Sequence, residues 1–249
     1  MIWGELLKKP IVKVDSRRNL AGKPVNNYIL SSISAREFKL IRPHLEYVVL
    51  SQRRILCESH NNLKFLYFPN HGLISLVVLL RTGKTVEAGM VGREGASGTP
   101  LSAGVSKSPL REVVQIAGDA FRIKRTTFQK LLPGLPEFRD ALHHYVVMLG
   151  MQVGQTAACN RLHEIEQRLA RWLLLAEDCA ASPTLRITHD FLATMLGTDR
   201  PSVTLAAGLL QRNGLIEYRR AAVKITDRKK LEEFSCECYA VIRDCGMRC

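Results

Sequence analysis

The chain has 249 residues, 46% of them hydrophobic and 24% charged, with a net charge of +13. That is enough for two ordinary domains with a buried core, and no apolar run approaches the ~20 residues of a membrane span. The opening MIWGELLKKPIVKVDSRRN mixes charge throughout and lacks the apolar block of a signal peptide, so a cytoplasmic protein is expected.

The basic excess is spread, net +4 over residues 1–25, +6 over 26–179 and +3 over 180–249, which suits a polyanionic partner. Seven cysteines, at 57, 159, 179, 236, 238, 245 and 249, do not make a disulfide framework. The C-terminal four are spaced C-x-C-x6-C-x3-C, which is no zinc spacing. They read as reduced thiols, with a redox or metal sensor as the sharper alternative; no cofactor and no metal ligand is assigned.

Residues 1–25 read as a loosely held extension. In the following stretch Ser34 stands three residues before Glu37, with Phe38 and Ile41 on one face, a capped amphipathic helix. From 47 to 125 the apolar period drops to two. Short β-branched runs are separated by Asn-His-Gly at 70–72, by Arg-Thr-Gly-Lys at 81–84 and by a Gly-rich loop, which predicts an antiparallel sandwich or roll.

After Pro133 and Pro136 the period turns helical, with Phe138, Leu142, Tyr145, Leu149 and Val153 on one stripe. That stripe either packs on its own domain or pairs with a second copy of the chain. Gly150 and Gly154 lower helix propensity but let two backbones approach. A second stripe follows, through Leu162, Ile165, Leu169, Trp172, Leu173 and Ala176.

Residues 184–227 read as helix, turn, helix and hairpin, a winged helix-turn-helix. Thr188 caps the first helix. Gly197 makes the bend, Asp199 caps the second helix and Pro201 sits in its first turn, where a missing amide has no partner to lose. Val203, Ala206, Ala207 and Leu210 face inward, leaving Arg200, Pro201, Ser202, Thr204 and Leu205 outward. Such a helix presents its N-terminal residues to base edges in a major groove. Arg200 has the geometry to read guanine. Thr188, Ser202 and Thr204 suit phosphates, and Arg219, Arg220 and Lys224 on the wing suit the flanking backbone.

With these residues in place, the sequence resembles the Crp/Fnr family of bacterial transcription regulators. ACNRLHEIEQRLARWLLLAED, FLATMLGTDRPSVTLAAGLLQRNGLIEYRRAAVKITD and CECYAVIRD match its C-terminal half, and FLYFPNHGLISLVVLLRTGKTVEAGMVGREG is similar to its cyclic-nucleotide-binding-like β-roll. The resemblance covers about residues 26–245. It implies an α+β chain: a β-roll of the jelly-roll type over 26–135, a dimerisation helix over 136–160 and a winged helix-turn-helix over 161–249. It also implies a homodimer on two-fold symmetric double-stranded DNA, half-sites ~34 Å apart, RNA polymerase as a partner and no membrane.

Two departures bear on the effector. Family members that bind cyclic AMP have a Gly-Glu pair in the roll loop and then an Arg-Ser pair that holds the phosphate. This loop reads VGREGASG, so Arg93 follows Gly92 and Glu94 is displaced; Ser108-Pro109 falls where the arginine is needed, and Arg111 is out of place. Gly92, Glu94 and Gly95 remain as ligand-binding candidates, with loop geometry as the plainer role. The effector stays open. Leu205 stands where cyclic-AMP-responsive members read bases with arginine, so a different DNA site is expected.

Rival readings are a cyclic-nucleotide or cysteine redox sensor whose DNA binding is secondary, and a cupin-like enzyme. The last would need clustered His/Glu metal ligands on the strands, where the one histidine is His71, in a turn signal. No catalytic residue is assigned.

Overall fold

The computed structural model describes residues 17–180 and 184–245. Two short helices, α1 (Tyr28–Ser32) and α2 (Ala35–Ile41), precede strands β1 (Glu46–Leu50), β2 (Ile55–Cys57), β3 (Phe65–Leu79), β4 (Thr85–Val91) and β5 (Arg111–Lys124). Helices α3 (Arg125–Leu131), α4 (Pro136–Leu162) and α5 (Ile165–Ala180) follow. The chain ends in β6 (Thr184–Arg186), α6 (His189–Leu196), α7 (Arg200–Arg212), β7 (Ile216–Arg219), β8 (Ala222–Ile225), α8 (Arg228–Phe234) and α9 (Cys238–Asp244). Among the described residues no helix is long and apolar enough to cross a membrane.

The N-terminal strands form one antiparallel sheet in the order β1-β5-β3-β4, with β2 also paired to β5. It is an α+β fold with an antiparallel roll followed by helices, as the sequence predicts. Asn70-His71-Gly72, however, does not end a strand. β3 runs through it, paired to β5 on both sides with register shifts between Pro69 and Ile74. Gly72 takes φ +87° there, and a Cβ on it would lie 2.6 Å from the carbonyl oxygen of Ile116. The Gly signal marks a bulge that bends the strand, not a turn.

The described part of the N-terminal extension, 17–25, is tied down rather than loose. Arg17 donates through Nη1 to the Leu30 carbonyl at 2.8 Å and through Nη2 to that of Ile33 at 2.6 Å. Val25 is buried. Residues 1–16 lie outside the described residues.

The start of α4 is capped from far away. Glu37 on α2 accepts from the amides of Glu137 (3.0 Å) and Phe138 (2.8 Å), while Glu137 accepts from the Ser34 amide at 2.7 Å. These carboxylates satisfy donors that have no intrahelical partner.

The stripe of Phe138, Leu142, Tyr145 and Leu149 is buried in the roll's own core. The face left exposed on α4 is a different one, carrying Val146, Val147 and Met151. A Cβ added at Gly150 or Gly154 would meet open space.

The second core is shared by both halves of the chain. Leu73 and Val77 of β3 and Met90 of β4 pack into one cluster with Trp172, Leu173, Leu192, Met195, Val203 and Leu210. Trp172 Nε1 donates to Glu87 Oε1 of β4 at 2.8 Å. The helix-turn-helix thus sits directly on the roll.

Candidate nucleic-acid interface

The turn between α6 and α7 is built as the sequence predicts. Thr188 accepts from the Phe191 amide at 3.2 Å, Gly197 ends α6 at φ +62°, and Asp199 accepts from the Ser202 amide at 2.8 Å. That amide holds the Asp199 carboxyl below the ordinary aspartate value. Val203, Ala206, Ala207 and Leu210 are buried. Arg200, Pro201, Thr204 and Leu205 are exposed, Leu205 to 72%, and Ser202 is half-buried. The edge therefore faces solvent on the side away from the shared core.

Not every group on it is idle. Arg200 Nη1 is 3.5 Å from Asp190 Oδ2, with both side chains largely in water, so the pair is weak and readily exchanged for another anion. The Thr204 hydroxyl donates to the Arg200 carbonyl at 2.9 Å and lies 2.9 Å from His189 Nδ1. The His189 ring in turn lies against Tyr218 of β7, centroids 4.3 Å apart. Burial first, and then the Arg200 charge, push the His189 pKa below its ordinary value. His189 was no part of the sequence expectation. Its place beside the capping Thr188 was legible, but its stacking on a residue of the wing was not.

β7 and β8 form the wing, with β6 added on the far side of β8. Arg220 (φ +47°) and Ala221 (φ +59°) make its two-residue tip, the left-handed pair that a tight hairpin needs. Arg219 is paired to Glu217 at 2.8 Å, and Lys224 faces Glu217 across the ladder. Arg219, Arg220 and Lys224 are all exposed.

The Gly92-Arg93-Glu94-Gly95 loop closes on itself. Glu94 Oε1 accepts from the Gly92 amide at 2.8 Å, and the Gly95 amide donates to the Gly92 carbonyl at 3.2 Å. Burial pushes the Glu94 pKa up to about 7 against that hydrogen bond. A side chain on Gly95 would run into the ring of Tyr145. Arg93 stacks on Tyr28, and Arg111 is paired to Glu58 at 2.8 Å.

Next to this loop, between the roll and α4, is a cavity of about 270 Å³ lined by Ser97, Thr99, Ser108, Glu112, Leu149 and Val153 among others. Its lining includes Ala96 but none of Gly92, Glu94 and Gly95. Glu112 accepts from the Ser97 hydroxyl at 2.5 Å and the Gly98 amide at 3.1 Å.

Residues 167–234 match the sequence profile of the Crp-like helix-turn-helix domain. The C-terminal part of the chain thus resembles that domain, and about four fifths of the chain shares the fold of solved Crp/Fnr-family regulators. FixK2 from Bradyrhizobium japonicum matches at TM-score 0.66 with 13% identity, over 77% of this chain and 98% of that one. A CRP-family transcriptional regulator from Thermus thermophilus matches at 0.62 with 20% identity, over 76% and 96%. A putative Crp/Fnr-family regulator from Eubacterium rectale matches at 0.64 with 17% identity, over 83% and 97%. No curated protein sequence matches. The match takes in most of α5, all of α6 to α8 and both strands of the wing. It stops two residues before Cys236.

Proposed function

We propose that the chain is a sequence-specific, DNA-binding transcription regulator that acts as a homodimer. The observation that carries this is the solvent-facing edge Arg200-Pro201-Ser202-x-Thr204-Leu205 at the start of α7, flanked by the cationic wing. Arg200 is the residue proposed to read a guanine, and Leu205 to touch a thymine methyl. Thr188, Ser202 and Thr204 would position phosphates, and Arg219, Arg220 and Lys224 the flanking backbone. The homodimer would pair through Val146, Val147, Gly150, Met151 and Gly154 of α4, an exposed apolar and small-residue face on a long helix. RNA polymerase is the partner such a regulator acts on.

The effector would enter the cavity between the roll and α4. Its lining holds the carboxylate of Glu112 and no lysine or arginine, which disfavours a buried phosphodiester, so the proposed effector is not a cyclic nucleotide. A ligand there shifts the dimer only by its differential affinity for two arrangements.

The test is selection of bound duplexes from random DNA, followed by affinity against salt. Arg200→Ala should cost about 1–3 kcal/mol on the selected site and relax one position. Arg219→Ala should weaken all sequences alike and lower the salt slope by about one. Absence of duplex binding at low salt would leave the sensor reading, in which DNA binding is secondary.

A further inference from the structure

Among the described residues, a group of metal-ligating side chains gathers where α4 ends. Cys159 and His163 stand one helical turn apart, and Cys236 and Cys238 come from the bend between α8 and α9. The three sulfurs and one imidazole nitrogen all lie within 4.8 Å of one another. Cys159 Sγ is 3.5 Å from Cys236 Sγ, and Cys238 Sγ is 3.6 Å from His163 Nδ1. A tetrahedral ion with bonds of about 2.3 Å to sulfur and about 2.0 Å to nitrogen separates two sulfurs by roughly 3.8 Å and a sulfur from a nitrogen by roughly 3.5 Å. The spacing fits a single ion.

The surroundings fit as well. His163 turns Nδ1 to the sulfurs and Nε2 to Glu237, whose Oε2 is 3.2 Å away. A ligating histidine is commonly oriented by a carboxylate on its other nitrogen. Gln155 Nε2 donates to Cys238 Sγ at 3.1 Å. The buried guanidinium of Arg171 acts electrostatically on Cys159. Plain burial of three thiols explains their low exposure. It does not explain an imidazole aimed at them with a carboxylate behind it.

We propose that Cys159, His163, Cys236 and Cys238 form a Cys3His site for one thiophilic divalent cation of the zinc class. On binding, the three thiols release their protons to solvent, Nδ1 gives its lone pair, and the ion sheds its waters. The resulting site carries one net negative charge, next to the guanidinium of Arg171. The ion would fasten the end of α4 to α9 across the break between α4 and α5.

The test uses the full chain, reduced and stripped with chelator, titrated with Co²⁺ under anaerobic conditions. Wild type should take up one equivalent, with the d–d bands of tetrahedral cobalt and thiolate-to-cobalt charge transfer, and Zn²⁺ should erase both. Cys159→Ser and Cys236→Ser should weaken uptake at least about tenfold. His163→Cys should keep the stoichiometry and strengthen the charge transfer, and Cys57→Ser, in the roll, should change nothing. If Cys159→Ser does not fold, His163→Gln at the half-buried ligand gives the same reading. A wild type that takes up no Co²⁺ or Zn²⁺, or a spectrum indifferent to every one of these ligands, overturns the site. None of these readouts involves DNA.

Discussion

The roll and the helix-turn-helix treat charge in opposite ways. In the roll, Glu87, Glu94 and Glu112 are buried and held by hydroxyl, amide and indole donors. On the α7 edge and the wing, Arg200, Arg219, Arg220 and Lys224 stand in water with at most loose partners. Burial outweighs their hydrogen bonds and pushes all three carboxyl pKa values up, so the roll answers to pH. Exposed cations are screened and exchangeable, so the edge answers to salt and to polyanions.

The largest effect expected on the roll side is steric. Gly95→Ala places a methyl in the space of the Tyr145 ring, and Tyr145 is a buried member of the roll core on α4. Overpacking of this kind should destabilise by about 3 kcal/mol, read as a lowered denaturation midpoint. An unchanged midpoint would show that the loop yields at the point where it packs against the ring.

The electrostatic half of the contrast is sharpened at Glu87. Burial pushes its pKa from the ordinary 4.5 up to about 7, against hydrogen bonds from Ser75 and Trp172. Between those values the folded chain holds a proton that the unfolded chain has released. Stability is therefore full below about pH 4.5, falls as pH rises to about 7, and is level above. A shift of that size corresponds to at most about 3 kcal/mol. Glu87→Gln should make this slope shallower, leaving the part due to Glu94, measured by denaturant unfolding at several pH values. The same slope in both proteins would sink the assignment.

What was readable in the sequence is what depends on neighbours along the chain. Ser34, Thr188 and Asp199 each cap a helix three residues on, and a cap is a local hydrogen bond. Groups joined over long separations were not readable. Asn70-His71-Gly72 has the composition of a turn, and only the pairing of β3 with β5 makes it a bulge. The Phe138–Leu149 stripe could serve a core or a partner; its burial in the roll decides for the core and moves the free apolar face to Val146, Val147 and Met151. The four metal-ligating side chains were hidden for the same reason. The C-x-C of 236–238 is followed by Cys245 and Cys249 in the chain, but the side chains gathered around it, Cys159 and His163, come from the end of α4. A Cys and a His four apart on one helix face were the available signal.

The smallest effect tests how far the edge side of the contrast depends on its own backbone. Ala221 holds φ +59° at the tip of the wing beside Arg220 at +47°. Left-handed backbone costs a residue with a Cβ about 1–2 kcal/mol, and glycine escapes that cost but loses more freedom on folding. Ala221→Gly should therefore stabilise the folded chain by about 0.5–1 kcal/mol, while Ala221→Val, branched at Cβ, should destabilise it. Both leave the cations of the edge in place, so duplex affinity should follow Ala221→Gly only through the order of the wing. If both variants unfold at the wild-type midpoint, the wing tip is not held in the left-handed pair, and Arg219 and Lys224 are not presented side by side by that turn.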